Sequence, residues 1–265
     1  KKFLRAAAVL PMLLPTITYG FAILYSFGKE GLLTKIFGKQ LFQIYGMNGL
    51  LLGYVIYTLP VSFMLLYNAM SYIDKKYMVV SRVMGDNALS TFWITIIRPL
   101  LGTLAASFVQ SFFLSFTDFG IPAAVGGEFE VLAGVLYDRM LGSVPNFHNG
   151  AVVAVVMLIP SVVSIALLHY LEKYNVRYNK ISNIEIRKNR GRDIVCAGLG
   201  SFICLGVLMI FLVIFVVPFV KQWPYELGFT LENVKNVFGD SELLNVYLNS
   251  LYTAFFPAVF GTLTA

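Results

Sequence analysis

The chain has 265 residues, of which 58% are hydrophobic and only 13% charged, with a net charge of +6 and a mean hydropathy of +0.75. Soluble domains carry about a quarter charged residues, so a water-soluble globule of this length is excluded and lipid must serve as part of the solvent. The fold class expected is all-α, a polytopic membrane helical bundle, because helices satisfy their own backbone groups in hydrocarbon.

Six apolar segments are long enough, or nearly so, to cross a bilayer core, which takes about 20 helical residues. In chain order they cover 3–27, 47–70, 93–117, 149–171, 194–219 and 245–265. Pro11, Pro15, Pro60, Pro160, Pro218 and Pro257 fall in or beside them. So many kinked spans suggest an enclosed pathway rather than an anchor bundle. With no initiating Met, and with an apolar run at 255–265, the chain reads as an interior piece of a longer polypeptide.

The basic residues between spans set the orientation. Lys1, Lys2 and Arg5, then Lys75, Lys76, Arg82 and Arg98, then Lys173, Arg177, Lys180, Arg187, Lys188, Arg190 and Arg192 occupy alternate segments. The other segments hold only Lys29, Lys35, Lys39, Arg139, Lys221 and Lys235. The richer set is expected to be cytoplasmic, with contact to anionic membrane lipid; no folded basic module surrounds it, so nucleic acid is not an expected partner.

Between the second and third spans, residues 72–101 read YIDKKYMVVSRVMGDNALSTFWITIIRPLL. Val79, Val80, Val83 and Met84 recur at helical spacing and run into a Gly85-Asp86-Asn87 turn. Ala88 to Trp93 then leads into the next span. Such a short amphipathic hairpin suits docking into a groove on a soluble partner, or lying on the headgroups as an interfacial helix.

The third span carries Ser107, Gln110, Ser111 and Ser115 at three- and four-residue intervals. Such a stripe lines a wet pathway or joins helices by hydrogen bonds. Asp118 is expected at the external end of that span. Two roles are open to it, a carboxylate on a translocation pathway or a cap for the turn Phe119-Gly120-Ile121-Pro122. Gly49 and Gly53 form a small-xxx-small pair suited to close helix packing. His148 and His169 fall at opposite ends of one span and read as interfacial residues. Cys196 and Cys204, in an apolar run, read as buried small hydrophobes. No metal-ligand cluster is expected, and no GxxxxGK[ST] run exists for nucleotide. Protease, zinc-hydrolase and deaminase patterns are also missing, so the chain is not expected to be an enzyme.

The 72–101 segment resembles the cytoplasmic coupling loop of permease subunits of type I binding-protein-dependent ABC importers. In that family a Glu-Ala-Ala triplet precedes a glycine by three residues, and an aliphatic-Pro start to the next span follows. Here Gly85 matches the glycine, Ile73-Asp74 the entry, and Ile97-Arg98-Pro99 the close. Two departures stand out. The triplet falls on Val79, Val80 and Ser81, without the glutamate, and the proline comes one residue late.

Further segments resemble the subgroup with two fused halves, which includes importers of ferric iron, 2-aminoethylphosphonate and thiamine. They are Gly31-Leu32-Leu33-Thr34 with Tyr45-Gly46, Ser115-Phe116-Thr117-Asp118-Phe119-Gly120-Ile121-Pro122 with Gly126-Gly127, and Asn249-Ser250-Leu251. The resemblance implies that residues 1–171 are a first permease half lacking its first span, with the coupling loop at 72–99. Residues 172–193 would be a basic cytoplasmic linker, and 194–265 the start of a truncated second half.

The resemblance further implies a permease in the bacterial cytoplasmic (inner) membrane, worked by alternating access. Its partners would be ABC ATPase subunits and a periplasmic or lipid-anchored solute-binding protein that delivers ferric iron, a phosphonate, a polyamine or thiamine. Val79, Val80, Ser81, Met84, Gly85, Asp86, Asn87 and Ala88 would meet the ATPase. No cofactor is expected on this chain, ATP and magnesium belonging to that partner. The rival function is an ion-coupled secondary transporter or channel. It calls for ionisable residues in mid-span, and the span interiors hold almost none.

Overall fold

Two prolines four residues apart break the first expected span. The computed structural model describes residues 2–74, 76–172 and 190–264, with side chains omitted at 2–4 and 172. Helix α1 (Lys2–Val9) runs into a 3-10 turn, Leu10–Leu13, with Pro11 at its second position. Leu14 is then extended (φ −95°, ψ 143°), as the ring of Pro15 demands of the residue before it. Helix α2 (Thr16–Phe27) starts after Pro15 and is followed by α3 (Leu32–Phe37). The segments Arg5–Leu13 and Thr16–Phe37 therefore meet at a bend of 109°. The Tyr19 hydroxyl donates to the Pro11 carbonyl at this break, which compensates a backbone group exposed by the bend.

The remaining apolar segments appear as five long helices close to the expected bounds. Helix α4 (Met47–Ser71) contains Pro60. A hairpin of α5 (Lys76–Val83) and α6 (Ala88–Phe92) precedes a π-turn, Trp93–Ile97, and α7 (Arg98–Thr117). Two short helices, α8 (Gly120–Val125) and α9 (Leu132–Leu141), lead to α10 (Phe147–Glu172), which contains Pro160. Helix α11 (Arg190–Val216) follows the basic segment, whose Lys173, Arg177, Lys180, Arg187 and Lys188 lie outside the described residues.

The chain divides into two compact units, Lys1–Phe211 and Leu212–Ala265. In the first, the core is built on α2, α4 and α8. Tyr19, Ile23, Ile44, Ile121 and Val125 are buried there almost completely. Phe211 closes on Tyr19 edge-to-face with ring centroids 5.0 Å apart. The Ser26 hydroxyl donates to the Ile210 carbonyl at 3.4 Å.

The second unit departs from an all-α description in one small place. After a 3-10 turn at Val217–Phe219, strands β1 (Val220–Gln222) and β2 (Glu226–Phe229) pair antiparallel, Val220 opposite Phe229 and Gln222 opposite Glu226. Residues beyond a span end meet water, where a strand edge costs little, so a ribbon is tolerated there but not in hydrocarbon. Lys221 and Glu226 form an ion pair at 2.9 Å across the ribbon, and Asn233 of α12 (Glu232–Gly239) donates to the Val220 carbonyl at 2.9 Å. Helix α13 (Ser241–Thr264) ends the unit with its apolar surface exposed.

Candidate functional site: a braced hairpin and a buried half-helix

Helix α5 ends because Gly85 adopts φ +90°, a left-handed conformation that side chains resist. The end is a Schellman motif. Asp86 N–H bonds the Ser81 carbonyl at 3.1 Å, and Gly85 N–H bonds the Arg82 carbonyl at 3.1 Å. A hydrophobic pair commonly accompanies this motif at the Ser81 and Asp86 positions. Here the pair is polar, with the Ser81 hydroxyl donating to Asp86 Oδ2 at 2.5 Å.

The same network spans both arms. Ser81 Oγ also meets Thr91 Oγ1 at 3.1 Å, and Ser90 Oγ donates to Asp86 Oδ1 at 3.3 Å. Asn87 caps α6 by accepting from Ser90 N–H at 2.8 Å. Ser81 and Thr91 are buried between the arms. The hairpin is thus a fixed object, and charge-assisted bonds to Asp86 are the strongest elements of its brace.

The other expected contact residues face outward. Val79 and Val80 are about half exposed, while Val83, Met84 and Leu89 at the turn are exposed by 82%, 78% and 81%. Gly85, Asn87 and Ala88 are exposed as well. Tyr77, Val80, Ser81, Met84, Asp86 and Thr95 line part of a cavity of about 270 Å³ against the root of α7. Of the eight residues expected on the coupling face, Ser81 is buried and Asp86 is half-buried in the brace, while the other six are exposed.

The late proline has a structural counterpart. Arg98 N–H bonds the Trp93 carbonyl five residues back, which makes Trp93–Ile97 a π-turn. A π-turn holds one residue more than an α-turn, so the extra residue before Pro99 is absorbed without breaking the helix. The Thr95 hydroxyl donates to the Thr91 carbonyl at 2.6 Å and buries itself there.

The serine stripe on α7 separates into distinct environments. Ser111 Oγ lies 2.9 Å from Ser62 Oγ of α4, a hydrogen bond between helices. Ser107 is buried, whereas Gln110 is exposed. Ser115 lines a largely apolar cavity of about 330 Å³ with Tyr54, Phe112, Phe116, Val131 and Leu132. Ser107, Gln110, Ser111 and Ser115 thus meet different surroundings along α7: the core, the surface, Ser62 of α4 and an apolar cavity.

Asp118 sits deeper than a loop entrance. Helix α8 lies antiparallel to α4, with Val125 against Gly49 and Ile121 against Gly53, and parallel to α2, with Ala124 against Gly20 and Gly120 against Thr16. Gly46 N–H bonds the Val125 carbonyl at 3.0 Å and ties the start of α4 to the end of α8. Asp118 is extended and precedes α8 by two residues, so on this antiparallel course it lies beyond the Ile121–Gly53 contact, away from the start of α4. On the same stretch of α4 the Tyr54 hydroxyl is buried without a hydrogen-bond partner among the described residues.

Residues 118–125 thus fold back along α4, and their helical part, α8, buries Gly120, Ile121 and Val125. Asp118 is 8% exposed, and its Oδ2 accepts from Ile121 N–H at 3.0 Å, as the capping role requires. Tyr54 and Tyr57 lie well inside α4, where an isolated tyrosine carries no motif of its own. The signal that could have found them was Gly49-xxx-Gly53, continued four residues on at Tyr57.

His148 and His169 are exposed at opposite ends of α10. On α11 Cys196 is exposed and Cys204 half-buried, where buried small hydrophobes were expected. Among the described residues no group of three or more His, Cys, Asp or Glu side chains is placed to hold a metal ion.

A family model described as "Binding-protein-dependent transport system inner membrane component" matches residues 1–176. A Haemophilus influenzae protein named as a ferric transport system permease is 26% identical over 275 aligned positions, which cover 97% of this chain and 43% of that protein. The ferric transport system permease protein FbpB of Actinobacillus pleuropneumoniae is 27% identical over 277 positions, covering 97% of this chain and 40% of its own length. A Helicosporidium protein named as a sulfate transport system permease is 25% identical over 162 positions, 60% of each chain. The chain spans less than half the length of the two ferric relatives.

Proposed function

The chain belongs to the family of binding-protein-dependent transport system inner membrane components, and we propose from that premise that it is the membrane-spanning permease part of an ATP-driven importer. The observation that carries the proposal is the hairpin 76–92, braced through Asp86 and joined to the α7 span by a continuous helical path. Mechanical coupling needs a handle that moves as one body with the spans. A tip held by Ser81, Ser90 and Thr91 is such a handle, and its exposed Val83, Met84 and Leu89 supply a surface to grip.

In this reading a separate pair of ATPase subunits binds ATP and magnesium and does the hydrolysis. Their closure pulls on the hairpin, and the spans rock between inward- and outward-open states. A solute-binding protein delivers cargo on the opposite face of the inner membrane. The polar groups offered to the pathway are Gln110 and Ser115, since Ser111 is engaged with Ser62 and Asp118 with the α8 backbone.

Ferric iron is the solute class proposed ahead of a phosphonate, a polyamine or thiamine. Two relatives aligned with 97% of this chain are named as ferric permeases, which supports the choice. The domain reading keeps 1–171 as a first permease half, 172–193 as a linker and 194–265 as the opening of a second half. The family match over 1–176 supports the first of these bounds.

The test is uptake of radioactive ferric iron into proteoliposomes that hold the full-length permease with its ATPase and binding protein. Uptake should require ATP and all three components. Uptake that persists without the ATPase would refute the importer reading.

A further inference from the structure

We infer that the hairpin docks into an apolar groove whose rim is acidic on the ATPase subunit, so that the permease supplies the cations of this contact. The inference rests on the importer reading above. The carboxylates of the hairpin are committed to its own brace. Asp74 is 5% exposed and accepts from Lys76 N–H at 3.0 Å, and Asp86 holds the Ser81 and Ser90 hydroxyls at 2.5 and 3.3 Å. The position at which the family carries its glutamate is Val79, which is 45% exposed and uncharged.

The cations, by contrast, are exposed. Lys76 and Arg82 both project from α5. Lys76, Val80 and Val83 stand at i, i+4 and i+7, one face of the helix, so the ammonium borders the N-terminal end of the apolar stripe that a partner would cover. Arg82 flanks that stripe in the last turn.

Cations bordering an apolar stripe suit either anionic headgroups, to which a lysine at a helix end can snorkel, or carboxylates on a protein rim. The protein rim is favoured because Asp74 and Asp86 are turned into the brace, which leaves Lys76 and Arg82 as the outward charges of α5 and complementary to an acidic groove. The brace adds a second reason, because a fixed tip with Val83, Met84 and Leu89 projecting fits a preformed socket better than a fluid interface.

The experiment uses the full-length permease in nanodiscs of phosphatidylcholine, with or without phosphatidylserine, and its ATPase. The readout is the ATPase retained at about 50 mM and about 500 mM salt, where screening differs strongly. Lys76→Glu and Arg82→Glu should each lower retention about tenfold, Lys76→Arg and Arg82→Lys should restore it, and the parent should lose ATPase at high salt. The milder Lys76→Gln with Arg82→Gln, checked by size exclusion, covers the case in which a reversal fails to fold.

If the parent retains the ATPase and both reversals leave retention unchanged, the acidic-rim inference falls while the importer reading stands. If the reversals matter only in discs that contain phosphatidylserine, the cations serve anionic lipid and the inference also falls. If the parent retains no ATPase, the importer reading itself fails and takes the inference with it.

Discussion

Ile121 occupies the space that a side chain on Gly53 would need: a Cβ built there would lie 2.6 Å from Ile121 Cγ2. The contact is between α8 and α4, and both residues are buried. Gly53→Leu should therefore unseat the half-helix. The cost expected is about 1–3 kcal/mol, the range for overpacking a close-packed interior. A lower melting temperature of the purified protein in detergent, with new labelling of a cysteine introduced at Ala124, would show it. An unchanged melting curve would contradict the packing described.

Gly85 presents the opposite case, since nothing lies within 4 Å of where its Cβ would stand. Only its φ of +90° resists substitution. Gly85→Ala should cost about 1–2 kcal/mol through backbone strain, confined to the hairpin because no neighbour must move. The expected result is an unchanged global melting temperature with reduced stimulation of the partner ATPase. Equal stimulation by parent and variant would show that the turn geometry is dispensable.

The positions of the long helices were legible because hydropathy reports burial in lipid directly. Length and apolarity placed 47–70 and 149–171 within a few residues of α4 and α10. The bend at Pro11 and Pro15 was visible only as two prolines, since its angle depends on how Leu14 and Tyr19 settle around them. Helix α8 was hidden for a different reason. Six residues are too short for a periodicity signal, and a Gly-Ile-Pro sequence after Asp118 resembles a turn. At the hairpin, Gly85 was readable from its turn chemistry, but the bond between Ser81 and Asp86 was not. It joins residues on opposite sides of a left-handed glycine, a relation that linear spacing does not reveal.

Lys221 offers a check on the ribbon. A hydrogen bond and the negative charge of Glu226 hold its ammonium above the ordinary lysine range. A raised folded-state value means that any stabilisation is fully present below the ordinary lysine pKa and disappears as pH climbs through the raised one. The pair should thus be intact throughout neutral pH. Glu226→Gln should return the Lys221 titration toward the ordinary value, read by NMR of a labelled lysine. No measurable change in melting temperature is expected, because both groups are solvent-exposed.

Asp118 can be tested by separating its shape from its charge. An asparagine carbonyl can still accept from Ile121 N–H, whereas alanine leaves that donor without a partner in a buried site. Asp118→Ala should therefore lose about 1–2 kcal/mol, and Asp118→Asn a few tenths, in thermal melts of the purified protein. Transport then reads the charge alone. The capping role predicts that, in the proposed importer, Asp118→Asn takes up solute at close to the parent rate. A variant that folds like the parent but fails to transport would reassign the carboxylate to the solute pathway.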